Sequence, residues 1–284
     1  MVDLKASIVL YKNEAEQVIK AMSGLLASGL DFKLVLSDNS PTDELRFLSE
    51  TDSRVEYIFN SDNIGFGSAH NNVLRNSLED GTKYHLVLNP DVYFDADVLP
   101  AIFLYMEENR DVGNLMPNVL FPDGSTQYLC KLLPSPANLI YRFAIPRYFH
   151  RNTKLNELFE LRFWDHDHIE NIPSLSGCFM FLNVAALEEV GIFDENIFMY
   201  IEDLDLNRRI HAKYRTVFFP DKTIYHEHNR ESFRNKKLLS IHMQSAFYYF
   251  NKWGWLFDKA RKKTNQATLD AIAKHKKHST QCDR

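Results

Sequence analysis

Little in this chain can hold a fold together covalently. Its 284 residues include three cysteines, Cys130, Cys178 and Cys282. The number is odd and the spacing is not that of a metal motif, so a disulfide framework is disfavoured and a reducing cytoplasm fits best. No apolar run approaches the length of a membrane span. The start of the chain runs directly into Leu4-Lys5-Ala6-Ser7-Ile8-Val9-Leu10-Tyr11, which has strand character and not that of a signal peptide. Internal repeats are missing, and no linker clearly divides the chain. The one Gly-x-Gly segment lacks the third glycine of a dinucleotide fingerprint and follows the third strand candidate, which disfavours a NAD-binding domain.

What is present is an ordinary apolar fraction, enough for a sizeable core, and an uneven distribution of charge. The formal net charge is −5, yet from Phe233 onward twelve Lys or Arg face three Asp, which leaves about −14 for residues 1–232. The basic end also carries Tyr248, Tyr249, Phe250, Trp253, Trp255 and Phe257. Such a segment suits either the interface of an anionic membrane or a solvated terminal helix with a packed face. Nucleic acid is disfavoured, because the acidic body would repel phosphate.

Short β-rich runs alternate with helical spacing in the first third. Ala6–Tyr11, Lys33–Ser37, Val55–Asn60 and Tyr84–Leu88 read as strands, and Val18, Met22, Leu25 and Leu26 mark a helix face between them. Near-continuous apolar strands separated by helices predict an α/β fold with a mainly parallel sheet covered on both faces. Ligands of such sheets bind beyond the carboxyl ends of the strands, where Tyr11-Lys12-Asn13-Glu14, Asp38-Asn39-Ser40 and Asn89-Pro90-Asp91 fall. Leu132–Ile172 reads as loops and short helices, a flexible cover near the site. Then come a strand-like Ser176–Phe181, a helix Val184–Val190 ended by Gly191, a helix Asp203–Tyr214, a strand Val217–Pro220 and a last helix Leu238–Trp253.

The most informative stretch is Phe198–Arg209, where Glu202, Asp203 and Asp205 crowd three carboxylates into four positions. Close carboxylates raise each other's proton affinity, so such a cluster beside apolar residues suits a general base or a cation site; acidic residues also simply complement a helix start. Asp91 is either a turn residue or a ligand for Mg²⁺ or Mn²⁺, which need only one or two carboxylates when substrate phosphates complete the shell. His226 or His228 would supply a further ligand, or else lie in a surface turn. Asn63-Ile64-Gly65-Phe66-Gly67 opens a helix and would let backbone approach a phosphate. Asp38 either accepts from a nucleobase or ribose or caps an Asx-turn.

Taken together and in order, these segments resemble the family-2 inverting glycosyltransferases over roughly residues 4–235. The nearest likeness is to the rhamnosyltransferase-like branch that builds O-antigens (lipopolysaccharide) and other bacterial surface polysaccharides. The matching segments are Ser7–Tyr11 with Asn13, Asp38-Asn39-Ser40, Asn63-x-Gly65-Phe66-Gly67-x-Ala69-x-Asn71, Leu88–Asp91, Ser176–Phe179, Phe193-Asp194-Glu195 through Asp205-Leu206, and His226 with Ser232. The resemblance implies a GT-A fold: a Rossmann-like mixed, mainly parallel sheet flanked by helices. It also implies a catalytic domain 1–235, with a nucleotide-binding half 1–120 and an acceptor and catalytic half 121–235, followed by a basic aromatic helical tail 236–284.

The same resemblance implies roles by position. Tyr11, Asn13, Asp38, Asn63, Gly65, Gly67 and Asn89 would bind nucleotide. Asp91 and His226 would hold Mg²⁺ or Mn²⁺, with Asn89 standing where the family motif has its first Asp. Asp203 would be the catalytic base, with Glu202 and Asp205 positioning the acceptor or supporting the base. Gly177, Cys178 and His228 would lie against donor or acceptor. The implied reaction is metal-dependent transfer of one sugar from a nucleotide sugar, dTDP-L-rhamnose favoured and a UDP-hexose the alternative. The acceptor would be a glycan or lipid-linked oligosaccharide, and the location cytoplasmic with peripheral contact at the inner face of the membrane. The processive synthases' Gln-x-x-Arg-Trp is replaced by Asn207-Arg208-Arg209, which favours single addition. A sugar nucleotidyltransferase would carry a Gly- and basic-rich loop after the first strand, where Tyr11–Glu14 stands. A non-catalytic nucleotide-sugar binding module is the reading from another class.

Overall fold

The computed structural model describes residues 2–139, 153–227 and 236–282, without the side chains of Lys236 and of 277–282. The predicted strands form with ends shifted by a residue or two: β1 Leu4–Leu10, β2 Phe32–Asp38, β3 Val55–Phe59 and β4 Tyr84–Leu88. Helices α1 Ala15–Leu26, α2 Phe66–Glu79 and α3 Val98–Glu108 separate them and the strands that follow, β5 Val92–Tyr93 and β6 Val112–Leu120. Beyond lie α4 Lys154–Phe159, β7 Glu170–Asn171, β8 Phe179–Asn183, α5 Val184–Val190, α6 Glu202–His211 and β9 Arg215–His226. Two tail helices, α7 Lys236–Trp253 and α8 Lys259–Cys282, complete the order.

One sheet runs β3-β2-β1-β4-β8-β6-β9-β5, with β7 also on β9. Strands β1 to β4 are mutually parallel where they pair, β8 is antiparallel to both β4 and β6, and β9 is parallel to β6. The sheet is thus mixed, with a parallel first half. Alternate residues of one strand enter opposite cores, as the two-residue period requires. In β8, Phe179 and Phe181 join the core under α1 and α3, while Met180 and Leu182 join a second core with Leu74, Leu187, Leu206 and Ile210 of α2, α5 and α6. Both faces are therefore covered, which is why the strands read as continuous apolar runs.

The directions gather one edge. The carboxyl ends of β1, β2, β4 and β9 and the start of the reversed strand β8 all lie there. Leu88 pairs with Phe179, and the Asn89 amide donates to the Cys178 carbonyl at 2.9 Å, carrying the ladder one residue further. At the far side, Val92 pairs with His226 and the Glu227 amide donates to the Asp91 carbonyl at 2.9 Å.

One expectation differs from the structure. The described flanks of the 132–172 segment are packed, not a loose cover: Leu132, Leu133, Leu139, Phe159, Leu161, Trp164 and Ile172 are buried. The expected helical tail is present as two helices, α8 following the one read at Leu238–Trp253. The side of α8 turned to the protein carries Arg261, Thr268 and Ile272, a mostly polar stripe without an apolar period. Its start does obey capping rules, because Asp258 Oδ1 accepts the Arg261 amide at 2.9 Å.

The tail is bonded to the body. Arg208 of α6 donates to Asp258 at 2.8 Å and to the Tyr249 hydroxyl at 3.0 Å, all three being buried. Asn265 bridges the backbone of Leu133 in both directions, at 2.9 Å each. Removing one partner of a buried ion pair strands the other charge. Asp258→Ala is therefore expected to lower the unfolding free energy by roughly 3–5 kcal/mol, measured by urea denaturation. A loss under about 1 kcal/mol, the surface-pair range, would mean that the tail does not depend on this pair.

Candidate active site

The three crowded carboxylates take three different environments. On α6, Asp203 is half-buried, whereas Glu202 is 6% exposed and Asp205 is fully buried. Asp203 Oδ2 accepts the Gly177 amide at 2.8 Å, and Oδ1 accepts the Leu204 amide at 2.7 Å. Positions 203 and 205 project about 200° apart on a helix. Asp205 accordingly points away, into Arg209 Nε at 2.9 Å, Lys252 Nζ at 3.0 Å and Trp253 Nε1 at 2.7 Å. This departs from its expected role of positioning the acceptor or supporting the base: Asp205 anchors α7 to α6. Glu202 Oε2 is buried without a hydrogen-bond partner. Burial, and then the charge of Asp203, push its carboxyl well above the ordinary glutamate range.

The helix starts under strain. Tyr200 and Ile201, which precede it, lie at φ 67° and 73°, a region costly for a β-branched residue. Ile201 packs with Ala246, Tyr249 and Phe250 of α7, and the Ser245 hydroxyl donates to the Met199 carbonyl at 2.8 Å. The tail therefore braces the turn that aims Asp203.

Asp91 and His226 meet through the β5–β9 pairing, with Nε2 3.3 Å from Asp91 Oδ1. Gln127, which sequence reading did not single out, fixes the imidazole. Its amide nitrogen donates to the carbonyls of His226 at 2.7 Å and Leu120 at 3.3 Å, which turns Oε1 onto His226 Nδ1 at 3.0 Å. Nδ1 therefore donates, and Nε2 is the atom that faces Asp91. Burial opposes charge on His226, but Cys178 and Asp91 beside it outweigh burial and hold the imidazole above its ordinary value. Asn89 Oδ1 is a further buried oxygen without a hydrogen-bond partner. One carboxylate, one oriented imidazole and a spare amide oxygen fit Mg²⁺ or Mn²⁺, whose shells substrate phosphates and water complete.

Gly177 and Cys178 join the two halves. A Cβ on Gly177 would stand 3.0 Å from Asp203 Cβ and 3.3 Å from its Oδ2. Cys178, the next residue, is buried beside His226 and accepts the Asn89 amide. The turn thus has Asp203 on one side and the Asp91–His226 pair on the other.

At the β1 and β2 ends, Tyr11 is 49% exposed, and its amide donates to Asn13 Oδ1 at 2.8 Å. Asp38 is 1% exposed, accepts from Ser40 N at 2.7 Å and takes the Tyr57 hydroxyl. The nucleobase expectation thus has Tyr11 as its open surface and Asp38 as the group that holds the turn behind it. Gly65 and Gly67 have protein closely packed against them. A Cβ on Gly65 (φ +93°) would strike the Phe198 carbonyl oxygen at 2.5 Å, and one on Gly67 would lie 3.0 Å from Phe193 Cβ. The Phe66 amide at the start of α2 donates to that same Phe198 carbonyl at 3.0 Å. These glycines admit the 193–198 loop; Asn63 joins them by accepting the Gly65 amide at 3.1 Å. His228 and Ser232 lie outside the described residues.

The model of the family named glycosyl transferase family 2 matches residues 7–191. The hexosyltransferase Agl10 of low-salt glycan biosynthesis in Haloferax volcanii is 26% identical over 209 residues, 72% of this chain, which spans only 60% of that relative. The N-acetylglucosaminyl-diphospho-decaprenol L-rhamnosyltransferase of Mycobacterium tuberculosis is 24% identical over 79% of this chain and 76% of its own. Rhamnosyltransferase WbbL of Escherichia coli is 26% identical over 85% and 90%. Among solved structures, the mannosyltransferase PcManGT of Pyrobaculum calidifontis, in complex with GDP-Man and Mn²⁺, superposes with TM-score 0.54 at 15% identity over 96% of this chain and 75% of that one. That likeness speaks to the fold, which is GT-A.

The state of Glu202 is testable. A carboxyl whose proton affinity is raised by folding stabilises the fold below its unfolded value and gives that up as pH rises through its folded value. Glu202→Gln, with nothing to ionise, is expected to resist thermal unfolding better than wild type toward pH 9, the difference vanishing near pH 4. Melting temperatures that fall in parallel across pH 4–9 would contradict a buried, proton-holding Glu202.

Proposed function

The chain belongs to glycosyl transferase family 2, and from that premise we propose an inverting transfer of one sugar from a nucleotide sugar to a glycan or lipid-linked oligosaccharide of surface-polysaccharide synthesis. The observation that carries this reading is the separation of tasks across the Gly177–Cys178 turn: an accessible carboxylate on one side, an imidazole–carboxylate pair on the other. Asp203 would take the proton of the acceptor hydroxyl. The hydroxyl oxygen would bond the anomeric carbon while the bond to the diphosphate breaks, its electron pair leaving with the diphosphate. Such displacements pass through oxocarbenium-like states. Asp91 and His226 would hold Mg²⁺ or Mn²⁺, which when bound offsets charge on the leaving diphosphate. Burial and the neighbouring charge of Asp203 favour the protonated form of Glu202, which would leave Asp203 as the single base.

dTDP-L-rhamnose is the favoured donor, supported by the two relatives named as rhamnosyltransferases. A lipid-linked acceptor is supported by the diphospho-decaprenol in one relative's name. The tail adds Leu256 and Phe257, 72% and 92% exposed, next to Lys259, Lys262 and Lys263. Exposed apolar groups beside lysines suit an anionic membrane surface. No helix among the described residues is long and apolar enough to cross a membrane.

Asp203→Asn keeps shape and removes the base. Its kcat is expected to fall by roughly 10²–10⁴, while donor binding by calorimetry in Mn²⁺ stays within about threefold, an interaction change well under 1 kcal/mol. Exhaustive chelation is expected to stop wild-type transfer, and added Mg²⁺ or Mn²⁺ to restore it. Near-normal turnover by the variant would remove the base assignment; full activity after chelation would make Asp91 structural.

A further inference from the structure

A second group of metal-type side chains stands where α8 meets β7. His168, Glu170 and His275 each offer one ligand atom, all within 4.8 Å of one another. We propose that these three residues form a Zn²⁺ site that fastens the C-terminal helix to the body of the protein.

Two buried atoms point to a missing partner. Glu170 is 7% exposed, and its Oε2 has no hydrogen bond; His168 Nε2, 3.7 Å away, has none either. The other carboxylate oxygen, Oε1, accepts the Asn171 amide at 2.8 Å and so fixes the direction of Oε2. His168 Nδ1 lies 2.7 Å from Asp167 Oδ1. A carboxylate can only accept there, so Nδ1 carries the proton. The Trp164 indole N–H also approaches Nδ1, but at 3.5 Å, beyond a normal hydrogen bond. An imidazole held through Nδ1–H by a carboxylate presents its Nε2 lone pair, the arrangement that supports ligands in zinc sites. A cation between that lone pair and the carboxylate oxygen would turn their repulsion into two favourable contacts.

The third donor comes from the tail. His275 projects from α8 and stacks on His168, ring centroids 4.4 Å apart and planes 29° apart. Tetrahedral Zn²⁺ with bonds of about 2.0–2.1 Å spaces its ligand atoms by about 3.4 Å. His275 is exposed, so rotation of its side chain can close the difference, with water in the fourth position. Two imidazoles and one carboxylate select Zn²⁺ over Mg²⁺, which demands oxygen ligands. The site is separate from Asp91 and His226, so it does not rest on the catalytic reading. Its effect would be to restrain α8, whose Asn265 bonds Leu133 and whose capping residue Asp258 bonds Arg208 of α6.

The test uses metal-free full-length protein, as wild type, Asp91→Asn and His275→Ala. One equivalent of Zn²⁺ is expected to raise the melting temperature of wild type and Asp91→Asn by several degrees and to slow amide exchange in α8. Co²⁺ is expected to give visible absorption with the same two proteins. His275→Ala, altered at an exposed position, is expected to match wild type when metal-free and to lose the Zn²⁺ shift and the Co²⁺ band. Retention of both by His275→Ala, their loss in Asp91→Asn, or no response of wild type to one equivalent would overturn the proposal.

Discussion

The close contact of Gly177 with Asp203 is the constraint on which the site depends. A Cβ on the first residue of the turn would stand only 3.0 Å from Asp203 Cβ, tighter than ordinary contact. The second, Cys178, is buried against His226 and tied by its carbonyl to Asn89. Two dispersed pieces of chain are thereby placed on either side of one dipeptide at the sheet edge. A reversed strand makes this possible: β8 begins where its neighbour β4 ends. In an all-parallel sheet the start of that strand would lie at the opposite edge, and the turn could not bridge them.

Behind the turn, α6 is held by buried polar contacts rather than by an apolar face alone. Asn207 donates to the Leu175 carbonyl at 3.0 Å and accepts from Asn114 at 2.8 Å. Arg209 donates to the Val190 and Ile192 carbonyls at 2.7 and 2.8 Å, and Asp205 closes on the tail. Unmade, each such bond would leave a desolvated group. Together they oppose the strain stored at Tyr200 and Ile201, a cost of order 1–3 kcal/mol per residue. The tail helices thus help to fix the turn and helix that carry Asp203.

How much of this is legible in the residues depends on whether the signal is local. The strands Leu4–Leu10 and Tyr84–Leu88 declare themselves through mostly apolar runs, interrupted by Lys5, Ser7 and His85, and Gly191 ends α5 at φ +82° as a helix-stopping glycine should. Glycines at 65 and 67 do report a close approach, but the approaching group is Phe198 or Phe193, over 100 residues away, and composition cannot tell protein from ligand. Asp205 sits in the same acidic cluster as Asp203, and only the helix phase and its partners in α7 separate their roles. Gln127 has no pattern around it; its function comes from a fold that brings His226 alongside. Helix α8 hides because the stripe it packs is polar, although Asp258 marks its start.

The central claim is that the acceptor's proton leaves toward Asp203 while the diphosphate departs on the side of Asp91 and His226, in a single displacement. The product's anomeric configuration reports this most directly. With an anomerically pure nucleotide sugar that the protein turns over, coupling constants of the isolated product, measured by NMR, are expected to show the configuration opposite to the donor's. A product with the donor's configuration would require two displacements or attack from the leaving-group face, and would contradict the assignment of Asp203 as the one base opposite the diphosphate.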